Sequence, residues 1–368
     1  MNPTIQVKAR KALNHMKPYS PGKPIWEVQQ ELGIDKVIKL ASNENPLGAS
    51  PKAVEALIAY LPEIHRYPDA STKGLNEAIA AQLQLTPDQL IVTNGADELI
   101  KLVAEAFLEE GDEVVVPHPS FSEYEFGAHL MGAVPVPVPL DENYQYHVED
   151  LLSAVTERTK MVFLCSPNNP TGTYLSREDL RRLLNALPKD VLVMYDSAYS
   201  HYVSAEDYTD GLEFVREGNP IIVLQTFSKI YGLAGIRVGF GAAPAPIIAS
   251  ILQVKEPFNV NALAQEAAKA AIADTEHVEA SRRVNALGRE QLYGAFRTLG
   301  LSYTESMTNF ILIKLGPDAK ELYGRLMELG VIVRYGGTWG MPEHIRVTVG
   351  TQEENDFFIR QLTSLLGE

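Results

Sequence analysis

The segment IIVLQTFSKIYGLAGIRVGF, residues 221–240, is the strongest single indication of the fold. It begins with a continuous apolar run, Ile221–Leu224, which is typical of a strand buried on both faces of a parallel sheet. The run leads into a polar stretch that contains Lys229, and Arg237 follows eight positions later. In open α/β sheets the ligands bind beyond the carboxyl ends of the strands. The segment therefore predicts both a strand and a functional site at its end.

Three other apolar runs lead into short polar segments of the same kind. They are Leu90–Val92 before NGAD at 94–97, Met161–Cys165 before SPNNPTG at 166–172, and Val191–Tyr195 before DSAY at 196–199. Each segment taken singly is explained as an ordinary turn or helix cap. Their combination, in this order after successive strands, indicates one shared crevice in an open α/β sheet.

The alternation of strand and helix patterns predicts the domain organisation. Helical patterns lie between many of the apolar runs, for example over residues 176–187, which predicts a doubly wound α/β domain with a mainly parallel sheet. After it, one long helical pattern runs from about Ala262 to Leu299 and is followed by further strands and helices. We therefore predict a large domain over residues 47–256 and a smaller α+β domain made from residues 1–46 and 257–368.

The overall composition limits the partners of the chain. Its 368 residues include 32 Lys and Arg against 47 Asp and Glu, and the formal net charge of −15 argues against nucleic acid or an anionic membrane surface. Cys165 is the only cysteine, so no internal disulfide can form. No apolar run is long enough for a signal peptide or a membrane span, and the histidines show no metal-ligand spacing. We expect a cytoplasmic protein without a bound metal.

The polar groups at the strand ends match the chemistry of one cofactor. A partly deprotonated lysine amine attacks an aldehyde. A buried aspartate can hold a proton on a pyridine nitrogen, and asparagine and tyrosine can hydrogen-bond a phenolic oxygen. Serine, arginine and the amides of a helix N-terminus bind a phosphate dianion. An aldehyde, a pyridine nitrogen, a phenolic oxygen and a phosphate are the functional groups of pyridoxal 5′-phosphate (PLP). We therefore expect PLP as the cofactor.

The chain resembles the fold-type I PLP-dependent aminotransferases, and within them it is similar to the histidinol-phosphate aminotransferase branch. The resemblance covers nearly the whole chain, from KPY at 17–19 to GT at 350–351. Its most specific motifs are ASNENP at 41–46, SPNNPTG at 166–172, TFSKIYGLAGIRVG at 226–239 and IRVTVG at 345–350. The DSAY segment departs from the family's frequent Asp-Glu-Ala-Tyr but keeps its Asp and Tyr, so the cofactor chemistry is expected to survive.

The resemblance implies a role for each residue around the cofactor ring. Lys229 bonds covalently to the aldehyde of PLP and moves the proton between the substrate and the cofactor. Asp196 pairs with the pyridine nitrogen, while Asn169 and Tyr199 hydrogen-bond the 3-oxygen of the ring. Tyr124, in the segment PSFSEY, matches an aromatic side chain that stacks on the ring.

The resemblance also implies how the cofactor phosphate is bound. The backbone amides of Ala96 and Asp97 contact it at a helix start, and the side chains of Ser228 and Arg237 add further bonds. Tyr67 matches a tyrosine that, in members of the family, extends across a dimer interface and contacts this phosphate. A homodimer is therefore expected.

Four further residues match the family's substrate contacts. Arg346 matches the arginine that binds a substrate anion, and Arg334 matches a second arginine typical of the histidinol-phosphate branch. Tyr19 and Asn259 resemble additional contacts in the same region.

The reaction implied by the resemblance converts L-histidinol phosphate and 2-oxoglutarate into imidazole-acetol phosphate and L-glutamate, a step of histidine biosynthesis. The same scaffold suits aromatic amino acids such as phenylalanine and tyrosine, or the decarboxylation of threonine phosphate, and two arginines do not separate these substrates. A PLP-binding regulator is disfavoured by the acidic charge. A nicotinamide dehydrogenase is disfavoured because the glycine spacing at 232–235 does not fit a dinucleotide fingerprint.

Overall fold

The computed structural model describes residues 7–16 and 22–367. The α-helices in this part are α1 Ile25–Leu32, α2 Pro51–Tyr60, α3 Lys73–Leu83, α4 Ala96–Phe107, α5 Glu123–Met131, α6 Val148–Ser153, α7 Arg177–Ala186, α8 Leu212–Arg216, α9 Ala245–Leu252, α10 Ala262–Ala271, α11 Thr275–Thr298, α12 Ala319–Glu328 and α13 Gln352–Leu366. The strands are β1 Ile38–Lys39, β2 Leu90–Thr93, β3 Glu113–His118, β4 Val134–Pro139, β5 Thr159–Cys165, β6 Leu192–Asp196, β7 Ile221–Thr226, β8 Gly239–Ala242, β9 Ser302–Tyr303, β10 Phe310–Lys314, β11 Val331–Ile332, β12 Arg334–Tyr335 and β13 His344–Thr348. Short 3₁₀ helices cover Lys11–His15, Leu61–Glu63, Pro87–Gln89, Ser200–Tyr202, Ala234–Ile236 and Gly336–Trp339.

A mostly parallel sheet forms the centre of the molecule. Its strand order is β2-β8-β7-β6-β5-β3-β4, and only β8 runs antiparallel to its neighbours. The predicted α/β fold with a mainly parallel sheet is therefore confirmed. The register aligns Cys165 with Asp196 and Asp196 with Leu224, so β5, β6 and β7 end at one common edge.

Helices cover both faces of this sheet. Side chains alternate along a strand, and in β6 Val193 and Tyr195 join one buried cluster whereas Leu192 and Met194 join another. The first cluster includes α3, α7 and α10, and the second includes α4, α5 and α9. This double burial explains why the predicted strands are apolar throughout.

The edge strand β4 has no counterpart in the sequence predictions. Its sequence is VPVPVP, and it pairs only with β3. Proline has no backbone N–H to donate, so it is tolerated at an edge where one side of the strand needs no partner. Because proline is rare in strands, residue propensities do not predict a strand over this segment.

The remaining strands form a smaller unit. An antiparallel sheet of order β12-β13-β10-β9 packs with α11, α12 and α13, and β1 pairs in parallel with β11. Ile38, from the N-terminal part of the chain, thereby joins the same core as Ile311 and Phe358.

The long helical pattern predicted over residues 262–299 forms two helices. The chain breaks between α10 and α11 at Asp274, whose buried carboxylate accepts a hydrogen bond from the Ser50 hydroxyl. The alanines of α10 pack in the core of the large sheet. Helix α10 thus packs on the large sheet, whereas Leu292 and Phe296 of α11 pack in the core of the smaller unit. No helix in the described part of the chain is long and apolar enough to cross a membrane.

Candidate active site

A cavity of about 710 Å³ opens at the common edge of β5, β6 and β7, between the large sheet and the smaller unit. This is the size of a site for a cofactor-sized ligand. Ten of the residues predicted for the site line it: Ala96, Asp97, Asn169, Asp196, Tyr199, Ser228, Lys229, Arg237, Arg334 and Arg346.

Lys229 lies in the turn after β7, and its ammonium group donates to the carbonyl oxygen of Ser42 over 3.2 Å. Burial, together with the positive charge of Arg346, lowers the pKa of Lys229 to about 8. A lysine with such a pKa carries an appreciable fraction of neutral amine near neutral pH. The side chain is therefore suited to act as a nucleophile and as a base.

Asp196 ends β6 and its carboxylate is held at both oxygens. The backbone N–H of Ala198 donates to Oδ1 over 3.0 Å, and the Tyr124 hydroxyl donates to Oδ2 over 2.7 Å. Burial raises the pKa of Asp196 to about 6, and the two hydrogen bonds oppose the rise. A cation in the cavity beside this carboxylate would be strongly stabilised.

Tyr124 does not occupy the stacking position expected for it. Its ring is fully buried beneath the cavity and stacks on Phe163, with centroids 4.9 Å apart. Tyr124 is in the first turn of α5, whose buried face is turned toward the sheet core. Phe121 and Phe126 from the same segment line the cavity instead, and the Phe121 ring meets Tyr124 edge-on at 5.6 Å.

The predicted phosphate-binding groups lie together at the start of α4. The Arg237 guanidinium lies 3.3 Å from Ser228 Oγ and 3.3 Å from an Asp97 carboxylate oxygen. Gly95, with φ +84°, precedes the helix, and a Cβ there would collide with the guanidinium. A Cβ on Gly239 would lie 2.9 Å from the amide nitrogen of Ala96. The two glycines thus let the Arg237 guanidinium and strand β8 lie close to the start of α4, where backbone N–H groups can bind an anion.

Two more cavity residues are held by side chains from the smaller unit or the segment that joins it. The Tyr199 hydroxyl accepts a hydrogen bond from Asn43 Nδ2 over 2.8 Å. Asn169 Oδ1 accepts a hydrogen bond from the Arg346 guanidinium. The resemblance assigned no role to Asn43, although it lies in the ASNENP motif at 41–46.

The two arginines predicted to bind a substrate anion face each other on neighbouring strands. Arg334 of β12 pairs with Arg346 of β13 in the sheet register, and both line the cavity. Arg346 is buried, donates to the Ala41 carbonyl oxygen over 2.7 Å, and lies 5.0 and 5.1 Å from the ring centres of Phe310 and Trp339. These contacts fix the direction of its guanidinium.

Besides Tyr124, two described residues that were predicted for the site, Tyr67 and Asn259, do not line the cavity. Tyr67 is 82% exposed and stacks on Phe258 at 4.9 Å. Asn259 donates to Glu98 over 2.7 Å beside the start of α4 and does not line the cavity. Tyr19 lies outside the described residues.

Comparisons with known proteins show the family of this chain. The family model described as aminotransferase class I and II matches residues 35–362. A histidinol-phosphate aminotransferase from Moorella thermoacetica is 49% identical over 98% of this chain and 93% of the relative. One from Symbiobacterium thermophilum is 44% identical over 98% of this chain and 99% of the relative. The chain belongs to the class I and II aminotransferase family.

The comparison with solved structures shows the same fold. The crystal structure of histidinol-phosphate aminotransferase from Sinorhizobium meliloti, in complex with PLP, superposes with a TM-score of 0.90 and covers 99% of each chain at 23% identity. The chain is a PLP-dependent aminotransferase. The start of α4 with Arg237 and Ser228, the buried Asp196 carboxylate and the Lys229 amine fit the phosphate, ring nitrogen and aldehyde of PLP, respectively.

Proposed function

We propose that the chain transfers the amino group of L-histidinol phosphate to 2-oxoglutarate, which yields imidazole-acetol phosphate and L-glutamate and serves histidine biosynthesis. The names of the relatives support this choice. The observation that carries it is the pair Arg334 and Arg346, which form a second cationic centre in the cavity besides the one at Arg237. Two such centres suit one phosphate on the cofactor and one on the substrate.

The residues at the strand ends would hold the cofactor. Lys229 would bond to its aldehyde and Asp196 would face its ring nitrogen. Asn169 and Tyr199 would meet its 3-oxygen. PLP, when bound, supplies an electron sink that lets the α-proton of the substrate leave.

The cofactor phosphate would bind where Arg237, Ser228 and the amides of Ala96 and Asp97 converge. For the stacking contact we propose Phe121 in place of Tyr124, because it lines the cavity and its ring lies next to Tyr124, which bonds to Asp196.

Lys229 would also move the proton of the reaction. Its neutral amine would accept the α-proton of the substrate and would donate that proton to the carbon that was the aldehyde carbon of the cofactor. A base works best when its pKa lies near the working pH, and the lowered pKa of about 8 meets that condition.

Arg346 and Arg334 would bind the substrate anion. The Arg346 guanidinium is fixed by Ala41 and by the rings of Phe310 and Trp339, so it offers a preformed anion site. The same site would take a carboxylate of 2-oxoglutarate in the second half of the reaction, because carboxylate and phosphate both accept paired hydrogen bonds from arginine.

A homodimer would complete the site through Tyr67. An exposed apolar surface runs along α2 and the segment after it, through Val54, Ile58, Leu61 and Ile64 to Tyr67. An apolar face of this kind on a monomer usually marks an interface. We propose that a second copy covers this surface and that Tyr67 then reaches the cofactor phosphate of the partner.

We also propose that the chain forms two domains and acts in the cytoplasm. We assign residues 47–256 to the cofactor domain and the two ends of the chain to the substrate domain, with α10 packed on the former. The only cysteine, Cys165, is buried and unpaired, which suits the cytoplasm.

An aromatic amino acid is the second candidate substrate. Phe121, Phe126 and Trp339 line the cavity and would suit a phenyl ring. Initial rates with 2-oxoglutarate as acceptor decide between the two candidates. We expect kcat/KM to be higher for L-histidinol phosphate than for phenylalanine or tyrosine, and the reverse order would refute the proposed substrate.

A further inference from the structure

We propose that Asn43 fixes the direction of the Tyr199 hydroxyl proton and so acts as a positioning residue for the contact between Tyr199 and the cofactor. The inference rests on the role proposed above for Tyr199. Asn43 is buried and lines the same cavity. It lies on the segment that joins the two sheets, so its side chain can link a residue of the smaller unit to one of the large sheet.

The hydrogen bonds around Asn43 favour one direction of its side-chain amide. Its backbone N–H can only donate, and it donates to Thr348 Oγ1 over 3.0 Å. Thr348 Oγ1 also lies 3.1 Å from Asn43 Oδ1, and because an amide oxygen can only accept, the threonine hydroxyl is the donor there. The opposite amide orientation would set two donors against the same hydroxyl oxygen and remove the acceptor of its proton.

The same orientation decides what Tyr199 does. With Oδ1 turned to Thr348, the Nδ2 of Asn43 faces the Tyr199 oxygen at 2.8 Å and can only donate. The Tyr199 oxygen therefore accepts, and its own proton is left to point into the cavity. Burial raises the pKa of Tyr199, so the phenol keeps that proton at neutral pH.

The ring of Tyr199 cannot swing away from this arrangement. It is buried and meets Phe310 edge-on with centroids 5.1 Å apart. A phenol that donates to the 3-oxygen of PLP draws negative charge from that oxygen, which lowers the proton affinity of the linked Lys229 nitrogen. Asn43 would thereby tune the cofactor linkage through Tyr199.

The charged and titratable groups around Tyr199 do not provide this orientation. Arg346 of β13 and Asp196 of β6 act on the phenol through their charge, whereas burial raises the pKa of the nearby Cys165 thiol of β5 and keeps it neutral. The Lys229 nitrogen lies 5.7 Å from the ring centre. The hydrogen bond from Asn43 is the contact that sets which way the hydroxyl points.

The backbone of Asn43 determines which variants test the idea. Its φ is +56°, a region that glycine and asparagine tolerate better than alanine does. Asn43→Gly removes the amide without backbone strain. Asn43→Asp keeps the shape but replaces the donor by an acceptor, which turns the Tyr199 proton away from the cavity. Thr348→Ser keeps the orienting hydroxyl and is the conservative control.

The experiment is a pH titration of the visible absorption of the PLP-loaded protein. We expect Tyr199→Phe to raise the pH at the midpoint of this titration by about one unit, because a hydrogen bond to a charged group is lost. Asn43→Asp should raise it by at least as much and Asn43→Gly by part of it, while Thr348→Ser leaves it unchanged. Thermal melting of each variant checks that it is folded, and the nearly isosteric Asn43→Asp keeps the test open if Asn43→Gly does not fold.

A double variant separates the inference from the function on which it rests. Because Asn43 acts through the phenol, Asn43→Gly should add no shift in a Tyr199→Phe background. An equal shift in both backgrounds, or no shift in Asn43→Asp, would overturn the positioning role. If Tyr199→Phe alone leaves the midpoint unchanged, the contact proposed for Tyr199 is refuted instead.

Discussion

The hydroxyl of Tyr124 donates a hydrogen bond of 2.7 Å to Asp196 Oδ2, in a part of the core where both side chains are shielded from water. This bond favours the charged form of a carboxylate that burial would otherwise neutralise. We propose that Tyr124 thereby supports the cofactor ring through Asp196.

Replacing Tyr124 by phenylalanine tests that support. Loss of a hydrogen bond to a charged group weakens the hold of Asp196 on the ring nitrogen, so the Kd for PLP should rise about tenfold. A titration of the apoprotein with PLP, followed by absorbance, measures it. Tyr174→Phe is the matched control, because Tyr174 makes a 2.7 Å bond to Asp207 near the surface. Equal PLP affinity in both variants would contradict the role of Tyr124.

Arg334→Gln tests the substrate anion site. Removing one arginine of the pair should raise the KM for L-histidinol phosphate about tenfold to hundredfold, since hydrogen bonds between charged groups are lost. The KM of histidinol, which lacks the phosphate, should change little. Arg360→Gln, at an exposed position on α13, is the control. A loss of kcat/KM that is the same for both substrates would show that Arg334 does not bind the phosphate.

The pKa of Lys229 predicts how fast the apoprotein takes up PLP at different pH. The neutral amine is the nucleophile, so the rate should rise about tenfold per pH unit below pH 8 and level off above it. Stopped-flow absorbance between pH 6.5 and 9.5 records the rate. The same measurement with Nα-acetyl-lysine corrects for ionisation of PLP itself. A rate that still rises steeply above pH 9 would mean that the amine has an ordinary lysine pKa.

Ile58→Glu tests the proposed dimer. Ile58 is 63% exposed in the middle of the apolar surface on α2, and a buried charge there would oppose association. We expect a monomer with weaker PLP binding by light scattering and PLP titration. Leu287→Glu is matched in exposure, at 67%, but lies on α11 away from that surface. If Ile58→Glu remains a dimer, the interface lies elsewhere.

The strands that end in the cavity could be predicted because their signals are local. An apolar run before a polar turn is enough to locate Asp196 and Lys229 at the sheet edge, and the register then brings them together. The prolines of β4 gave no such signal, because an edge position is decided by neighbouring strands. The break at Asp274 depends on Ser50, more than two hundred residues away, and so is not visible in the local pattern.

The directions of side chains explain the other differences between the predicted and the observed site. Tyr124 and Phe121 are three residues apart, and only the start of α5 at Glu123 decides which ring faces the cavity. The partners of Asn43 are Tyr199, from the middle of the chain, and Thr348, from its C-terminal part. Such contacts follow from tertiary packing, whereas the motifs report residue types.

We propose that Lys229 holds the cofactor in this cavity. Covalent trapping of the linkage between Lys229 and PLP is the most direct test of this role. Borohydride reduction of the PLP-loaded protein makes a lysine–pyridoxal linkage permanent, and peptide mass spectrometry then finds its position. We predict the added mass on the peptide that contains Lys229 and its loss in Lys229→Arg. Labelling of a different lysine, or unchanged labelling and turnover in Lys229→Arg, would contradict the account.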